Sequence, residues 1–126
     1  MAITATVVPT LFAQGEAPVD WWTVNGTSTN FSGCEILRAA VTNKCHYITK
    51  IVVSTASAIN ITIGAGVNSN AVITTMIGPI YFTTGGPGIF TYDFAEHPIQ
   101  ATLGLALTID ASDTGAGCVV VQGFTI

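Results

Sequence analysis

Charged side chains are scarce in this chain of 126 residues: they make up 8% of it, against about 25% in ordinary soluble proteins. Only three are cations, Arg38, Lys44 and Lys50, and they form no basic stripe. Nucleic-acid binding usually depends on such a stripe to offset phosphate charge, so the composition predicts no nucleic-acid partner. The net charge of −4 comes from dispersed acidic residues and indicates only solubility.

Long hydrophobic runs are also missing, although hydrophobic residues make up 49% of the chain and its mean hydropathy is +0.60. A membrane-spanning helix needs about 20 consecutive apolar residues, and Thr, Ser, Gly and Asn interrupt every apolar stretch. We therefore expect no membrane partner. Monomers rarely leave large apolar surfaces exposed, so the low charge favours a homo-oligomer or assembly on a larger surface.

The chain has few cysteines, and they suggest no disulfide framework. Cys34, Cys45 and Cys118 are an odd number, and the first eight residues lack the features of a secretory signal. We favour their interpretation as small buried apolar side chains, and a Cys34–Cys45 disulfide across a hairpin stays open. There is no Cys-x-x-Cys pair, and His46 and His97 stand apart from other ligand types, so we expect no metal.

The sequence is rich in short segments where apolar and polar residues alternate. Ile59, Ile61 and Ile63 alternate with Asn60 and Thr62, and the period recurs further along the chain. Period two is typical of half-buried antiparallel strands. It predicts an all-β protein, an antiparallel two-sheet sandwich with a jelly roll of about eight strands. We expect strands at 35–41, 47–55, 60–63, 72–77, 81–83, 89–94, 103–109 and 118–124.

The N-terminal part differs from the rest of this single domain. Residues 1–32 are expected to be either an arm that packs on a neighbouring subunit or the first strands of the same sheet, and residues 33–126 the β-sandwich. Asn25-Gly26 suits the positive φ angles of a type I′ turn, so a turn is predicted there. Loops are predicted at 42–44, 64–70, 84–88 and 110–117.

One short motif invites an enzymatic interpretation. Retroviral-type aspartic proteases carry Asp-Thr-Gly, in which two carboxylates from two chains activate water, and this chain has Asp113-Thr114-Gly115. Only eleven residues follow Gly115, too few for the later strands of that family, so we favour a turn. A calcium site at Asp110, Ser112 and Asp113 lacks acidic density, and 85–88 suits a hairpin turn better than a phosphate loop. We therefore predict no enzyme and no catalytic, cofactor-binding or metal residues.

The adjacent pair Trp21 and Trp22 is the best candidate for a binding surface. Aromatic side chains of this size often anchor protein interfaces, and we favour that role for both. The alternative is a carbohydrate- or receptor-binding β-sandwich module, in which Trp21, Trp22, Tyr81 or Tyr92 would form the platform.

The order of elements from Tyr47 to Phe124 resembles the small jelly-roll head decoration, or cement, proteins of tailed bacteriophages. The resemblance rests on an apolar strand at 48–54, a strand and Gly/Asn loop from Ile61, Gly78-Pro79-Ile80-Tyr81, and a Gly85-Gly86 turn before an aromatic strand. It continues through the segment 97–102 into 105–108 and closes on 119–124.

This resemblance implies a structural virion protein that decorates and stabilises a phage capsid through protein–protein interfaces. Its implied partners are further copies of the chain, with a homotrimer favoured, and the major capsid protein. Its implied location is the capsid surface, after synthesis in the host cytoplasm without a signal peptide.

Overall fold

A computed structural model of the chain describes residues 3–9, 19–82 and 88–126. These residues form eight strands, and all the strand pairs are antiparallel. There is no helix among these residues, which confirms the all-β prediction. The strands are β1 (Thr4–Pro9), β2 (Asp20–Arg38), β3 (His46–Thr55), β4 (Asn60–Asn68), β5 (Ala71–Tyr81), β6 (Gly88–Asp93), β7 (Ile99–Gln100) and β8 (Leu107–Thr125).

The two longest strands, β2 and β8, each pass through two sheets. Residues 20–28 of β2 pair with 117–125 of β8, and residues 33–38 pair with 107–111. Between these stretches the register shifts around Phe31, and Gly33 adopts a positive φ of 68°. Such irregularities bend a strand, and bent strands form the corners at which sandwiches pass from one sheet to the other.

The resulting strand order is that of a jelly roll. One sheet runs β1, β2, β8, β3 and β6, and the other runs from the second half of β2 through the first half of β8 to β4 and β5. The sandwich has nine strands if each half of β2 and β8 is counted separately and the two-residue β7 is left out. Eight of these strands form the jelly roll, and β1 lies at an edge. The predicted two-sheet sandwich is confirmed.

Alternation along the strands builds the core between the sheets. In β3, Ile48, Ile51 and Val53 are fully buried, as are Ile61 and Ile63 of β4 in the opposite sheet. Burying each such side chain contributes about 1.5–3 kcal/mol. The core also contains Trp22, Val24, Leu37, Leu107, Ile109, Val119 and Val121.

Two predicted loops are wrong because the strands continue through them. Residues 110–117 belong to β8, and most of 64–70 belongs to β4, whose hairpin turn is confined to Ser69 and Asn70. The polar and small residues of these segments remain extended because neighbouring strands pair with them: Asp110 pairs with Thr62 and Ala65 with Thr74. Similarly, β5 extends the strand predicted at 72–77 as far as Tyr81, the first residue of the strand predicted at 81–83, whose last residue lies outside the described residues.

The predicted turn at Asn25-Gly26 is also wrong, since both residues lie inside β2. Gly26 is needed there for packing and not for a turn. A Cβ atom at Gly26 would lie 3.2 Å from Val119 Cγ1 and 3.4 Å from Leu37 Cδ2. The local turn signal is therefore overridden by the pairing of Asn25 with Val120.

The boundary predicted between residues 32 and 33 falls within β2. The described part of 1–32 forms strands of the same sheet, since β1 pairs with 22–27 of β2 and 20–28 pair with β8. The sandwich thus begins well before residue 33.

The hairpin turn predicted at 85–88 lies mostly outside the described residues, but the strands on either side of it are described. β5 pairs with β4 in one sheet, and β6 pairs with β3 in the other. β5 and β6 therefore lie in different sheets.

All three cysteines are free thiols. Cys45 is buried, and Cys34 and Cys118 are half-buried. Burial, and to a lesser degree the nearby carboxylates of Asp110 and Glu35, raises the pKa of the Cys34 thiol, an effect that its hydrogen bond with Thr108 opposes.

Substituting Gly123 should destabilise the fold strongly. A Cβ atom there would collide with the carbonyl oxygen of Tyr47 and lie 2.8 Å from the Trp22 ring. We expect Gly123→Ala to lower the free energy of unfolding by about 3 kcal/mol, as measured by urea denaturation. Thr91→Ala, an exposed position in β6, is the control; equal losses in the two variants would contradict the packing argument.

Candidate interaction surface

The structure separates the predicted tryptophan pair. Trp22 points into the sandwich and is 1% exposed, whereas Trp21 points outward and is 37% exposed. A side chain buried in its own chain cannot anchor a partner, so the interface prediction is corrected for Trp22. It stays a prediction for Trp21.

A buried hydrogen-bond network holds Trp22 at the end of the sandwich. The indole Nε1 of Trp22 donates to Thr125 Oγ1 at 2.9 Å, and His46 Nδ1 lies 2.7 Å from the same hydroxyl. The second ring nitrogen of His46, Nε2, lies 2.8 Å from the carbonyl oxygen of Ala39. Because a carbonyl only accepts, His46 carries its proton on Nε2 and accepts from Thr125 through Nδ1.

Charged groups stand beside this network. Arg38 lies over the Trp22 ring at 5.7 Å and forms an ion pair of 2.6 Å with Asp20. Burial lowers the pKa of His46 below its ordinary value of 6.5; the bond with Ala39 opposes this shift and the positive charge of Arg38 adds to it. The negative charge of Asp20, the smallest of these effects, raises the pKa of His46. His46 is thus a neutral structural side chain.

The side of the first sheet that points away from the core forms a continuous surface, here called the outer face. Four rows cross its strands, as the register of β2, β8, β3, β6 and β7 shows. The rows are Trp21–Phe124–Tyr47–Gln100, Thr23–Gln122–Lys50–Asp93, Asn25–Val120–Val52–Thr91 and Thr27–Cys118–Ser54–Ile89.

Aromatic rings fill one end of the outer face. Trp21 and Phe124 have ring centroids 4.8 Å apart, and Tyr47 stacks on the other side of Phe124, also at 4.8 Å and nearly parallel. Ile89, at the opposite end, is 74% exposed. The face thus combines exposed or half-buried apolar side chains with Thr, Asn, Gln and Ser.

Charge is almost absent from the outer face. Lys50 and Asp93 are its only charged residues, and they lie opposite each other on β3 and β6. Solvent-facing sides of antiparallel sheets are normally polar, and charged side chains also protect sheets against association. A broad uncharged side of a sheet can be removed from water at little cost in desolvation, as contact with another protein requires.

The Asp-Thr-Gly motif lies in β8 where that strand bends between the sheets, and Asp113 is exposed. Nearby, Ser112 Oγ accepts a hydrogen bond of 2.8 Å from the backbone N–H of Asn60, and burial raises the pKa of Asp110. Within 3–9, 19–82 and 88–126, no three His, Cys, Asp or Glu side chains are grouped as metal ligands. Nor do these ranges contain a helix long and apolar enough to cross a membrane.

A second aromatic group lies on β6 and the turn after it. Tyr92 stacks on Phe94 with centroids 4.3 Å apart, and Phe90 follows at 6.2 Å from Tyr92. Residues 92–97 line a concave surface that encloses a volume of about 480 Å³. Asp93, Glu96 and His97 contribute its polar groups. Tyr92 is 52% exposed.

No protein-family model matches the chain, and no curated protein matches it. Two solved structures that are similar to it are those of infectious bursal disease virus, Gx strain and Gt strain. The first has a TM-score of 0.40 and 16% identity, covering 97% of this chain and 40% of the other. The second has a TM-score of 0.31 and 11% identity, covering 98% and 32%. Both are virus structures, but the chain spans less than half their length, and so distant a likeness carries no functional argument.

Sequence reasoning found Trp21 but missed the outer face as a unit and the role of His46. The alternation of Asn25 with Gly26, and of Val120 with Val119 and Val121, indicated which side chains share a face. Which strands lie side by side depends on pairing between distant segments, for which the sequence carries no local signal.

Lowering the pH should weaken the fold through His46. Its pKa is lower in the folded than in the unfolded state, so the unfolded chain binds more protons below about pH 6.5. The contribution of neutral His46 to the free energy of unfolding is present above that pH and is lost as the pH falls. We expect urea midpoints to drop between about pH 8 and pH 5.5.

The variant His46→Gln should reduce this pH dependence while lowering stability at both pH values. His97→Gln, at an exposed histidine, is the matched control and should retain it. If His46→Gln kept the full pH dependence, the assignment to His46 would be wrong.

Proposed function

We propose that this protein is a structural component of a virion, which decorates and stabilises a phage capsid through protein–protein interfaces. The observation that carries the proposal is the outer face, a broad side of a sheet with only Lys50 and Asp93 as charges. The order of strands and turns that resembles head decoration proteins supports the phage assignment.

A surface of this kind suits a role in which contact itself is the function. Interfaces are depleted of charge at their centre and enriched in aromatic residues, as the outer face is with Trp21, Tyr47 and Phe124. Many copies on one shell would act together, so weak single contacts give strong overall binding. The partners we propose are further copies of the chain and the major capsid protein, and the location is the capsid surface. The resemblance implies a trimer.

A second candidate function is carbohydrate or receptor binding on a tail or fibre. The concave surface at 92–97 favours it, because Tyr92 offers an aromatic ring beside the carboxylates of Asp93 and Glu96. Sugar recognition would use that ring for C–H contacts and the carboxylates for hydroxyl groups.

The virion role predicts binding to expanded, empty heads of the virus that encodes the chain. We expect the protein to co-sediment with these heads to saturation and to raise the temperature at which they fall apart, because bound copies link neighbouring capsomers. Unexpanded heads are the control for nonspecific binding. Absence of both effects would overturn the proposal.

The carbohydrate candidate predicts specific retention on a glycan array. Tyr92→Ala should abolish that retention because it removes the ring from the concave surface, whereas Trp21→Ala, on the other side of the sheet, should not. An array without any specific signal would eliminate this candidate.

A further inference from the structure

We propose that the free edge of β6 receives an extended segment of the major capsid protein as an additional strand of the first sheet, with a lysine or arginine of that segment beside Asp93. The inference rests on the proposed function, because it takes the shell as the partner and names one contact with it. The contact lies at the edge of the sheet, and it places no demand on how copies of the chain associate.

The edge formed by β6 is regular and unprotected. β6 is the last strand of the first sheet, and among the described residues it pairs only with β3. Its six residues pair with 50–55 of β3 without a register shift, and the strand contains no proline. Free edges are normally protected by bulges, prolines or charges, and β5, an edge of the second sheet, has Pro79 and two register shifts. The unpaired N–H and C=O groups of β6 therefore form a template for another strand.

The side of β6 that points between the sheets is incompletely covered. Tyr92 pairs with the buried Ile51 and so points inward, yet it is 52% exposed. Its neighbours Phe90 and Phe94 are half-buried. A strand added beside β6 would place a side chain directly opposite Tyr92, because cross-strand neighbours lie about 5 Å apart. An apolar side chain in that position would remove the Tyr92 ring from water.

The concave surface at the end of β6 favours a cation. There the carboxylates of Asp93 and Glu96 lie beside the ring of Tyr92, together with His97. The backbone N–H of Ala95 donates a hydrogen bond of 2.9 Å to Asp93 Oδ1, which orients that carboxylate. A lysine or arginine opposite Asp93 would have both a carboxylate and an aromatic ring as neighbours. A sugar could use the same surface but would leave the backbone groups of the edge unpaired, whereas a strand uses both.

A second copy of the chain does not supply this cation. The described strands with a free edge are β1, the second half of β2, β5, β6 and β7, and Arg38 is the only cationic residue in them. Arg38 is already paired with Asp20 at 2.6 Å. Lys50 lies in β3, which is enclosed between β8 and β6, and Lys44 lies in a turn. The shell protein, the other partner in the proposed function, is therefore the source of the strand.

The test joins a strand to the full chain after Ile126, through a linker of about twelve glycine and serine residues that spans about 19 Å. The strand reads Lys-Val-Thr-Val-Thr, so that an antiparallel arrangement puts its lysine beside Asp93 and its valines beside Tyr92 and Phe90. We expect the amide protons of β6 to exchange about tenfold more slowly than in the wild type, as measured by hydrogen–deuterium exchange. The same linker without the strand is the control, and an unchanged rate with the strand attached would overturn the inference.

The charge at position 93 provides a second comparison. Glutamate in place of the lysine of the strand should reduce the protection of β6 about fivefold, and Asp93→Lys should restore it. Asp113→Lys, at an exposed position of β8, is the matched control and should restore nothing. Equal protection by strands of either charge would show that Asp93 selects no cation and would overturn the inference.

Head binding separates this inference from the proposed function. Because the attached strand occupies the edge of β6, we expect it to weaken co-sedimentation with expanded heads at least about tenfold, whereas the linker alone should not. If heads bind the strand-carrying protein as well as the wild type, the inference is overturned and the capsid role stands. If heads do not bind even the wild type, the capsid role is overturned, while protection of β6 would still support its edge as the acceptor of a strand.

Discussion

The antiparallel pairing of β2 with β8 joins residues 20–38 to residues 107–125 and runs through both sheets. Asp20 pairs with Thr125 at one end, and Arg38 pairs with Leu107 at the other, on either side of the bend. Because each strand contributes a segment to each sheet, neither sheet can form completely without this pair. Contacts between residues so far apart in the chain close large loops, which is expected to make folding slow compared with a protein of local contacts.

The same pairing brings together the buried hydrogen-bond network at one end of the sandwich. Thr125, the last residue of β8, accepts a hydrogen bond from Trp22 and donates one to His46, so strands β2, β3 and β8 meet at one hydroxyl. Gly123 lets the Trp22 ring approach the backbone of β8. Polar groups in this position would be costly if unpaired; here each has a partner, and the network adds specificity to an otherwise apolar core.

The sequence predicted those parts of the fold that depend on local periodicity. β3 at 46–55 and β6 at 88–93 lie within one residue of the predicted strands, and the jelly roll followed from the number and spacing of strands. It failed where long-range pairing outweighs local preference: Asn25-Gly26 lies in a strand, and 110–117 continues β8. The site was predicted only in part. Trp21 was singled out, but the neighbours that make it part of a surface come from β8 and β3, which no local pattern could assign.

The core and the outer face are coupled through register. In a strand, a shift of one residue moves every side chain to the opposite side. Trp22 cannot leave its place without losing its buried hydrogen bond to Thr125 and its ring contact with His46, and this fixes Trp21 on the outside beside Phe124. The same constraint places Asn25 outside and Val24 inside. The composition of the chain alone therefore does not explain why the outer face is uncharged. The buried network fixes the register of β2 and so determines which of its residues lie on that face. A chain with the same composition but a different register would present Trp22 and Val24 to solvent and would lose both the core and the surface.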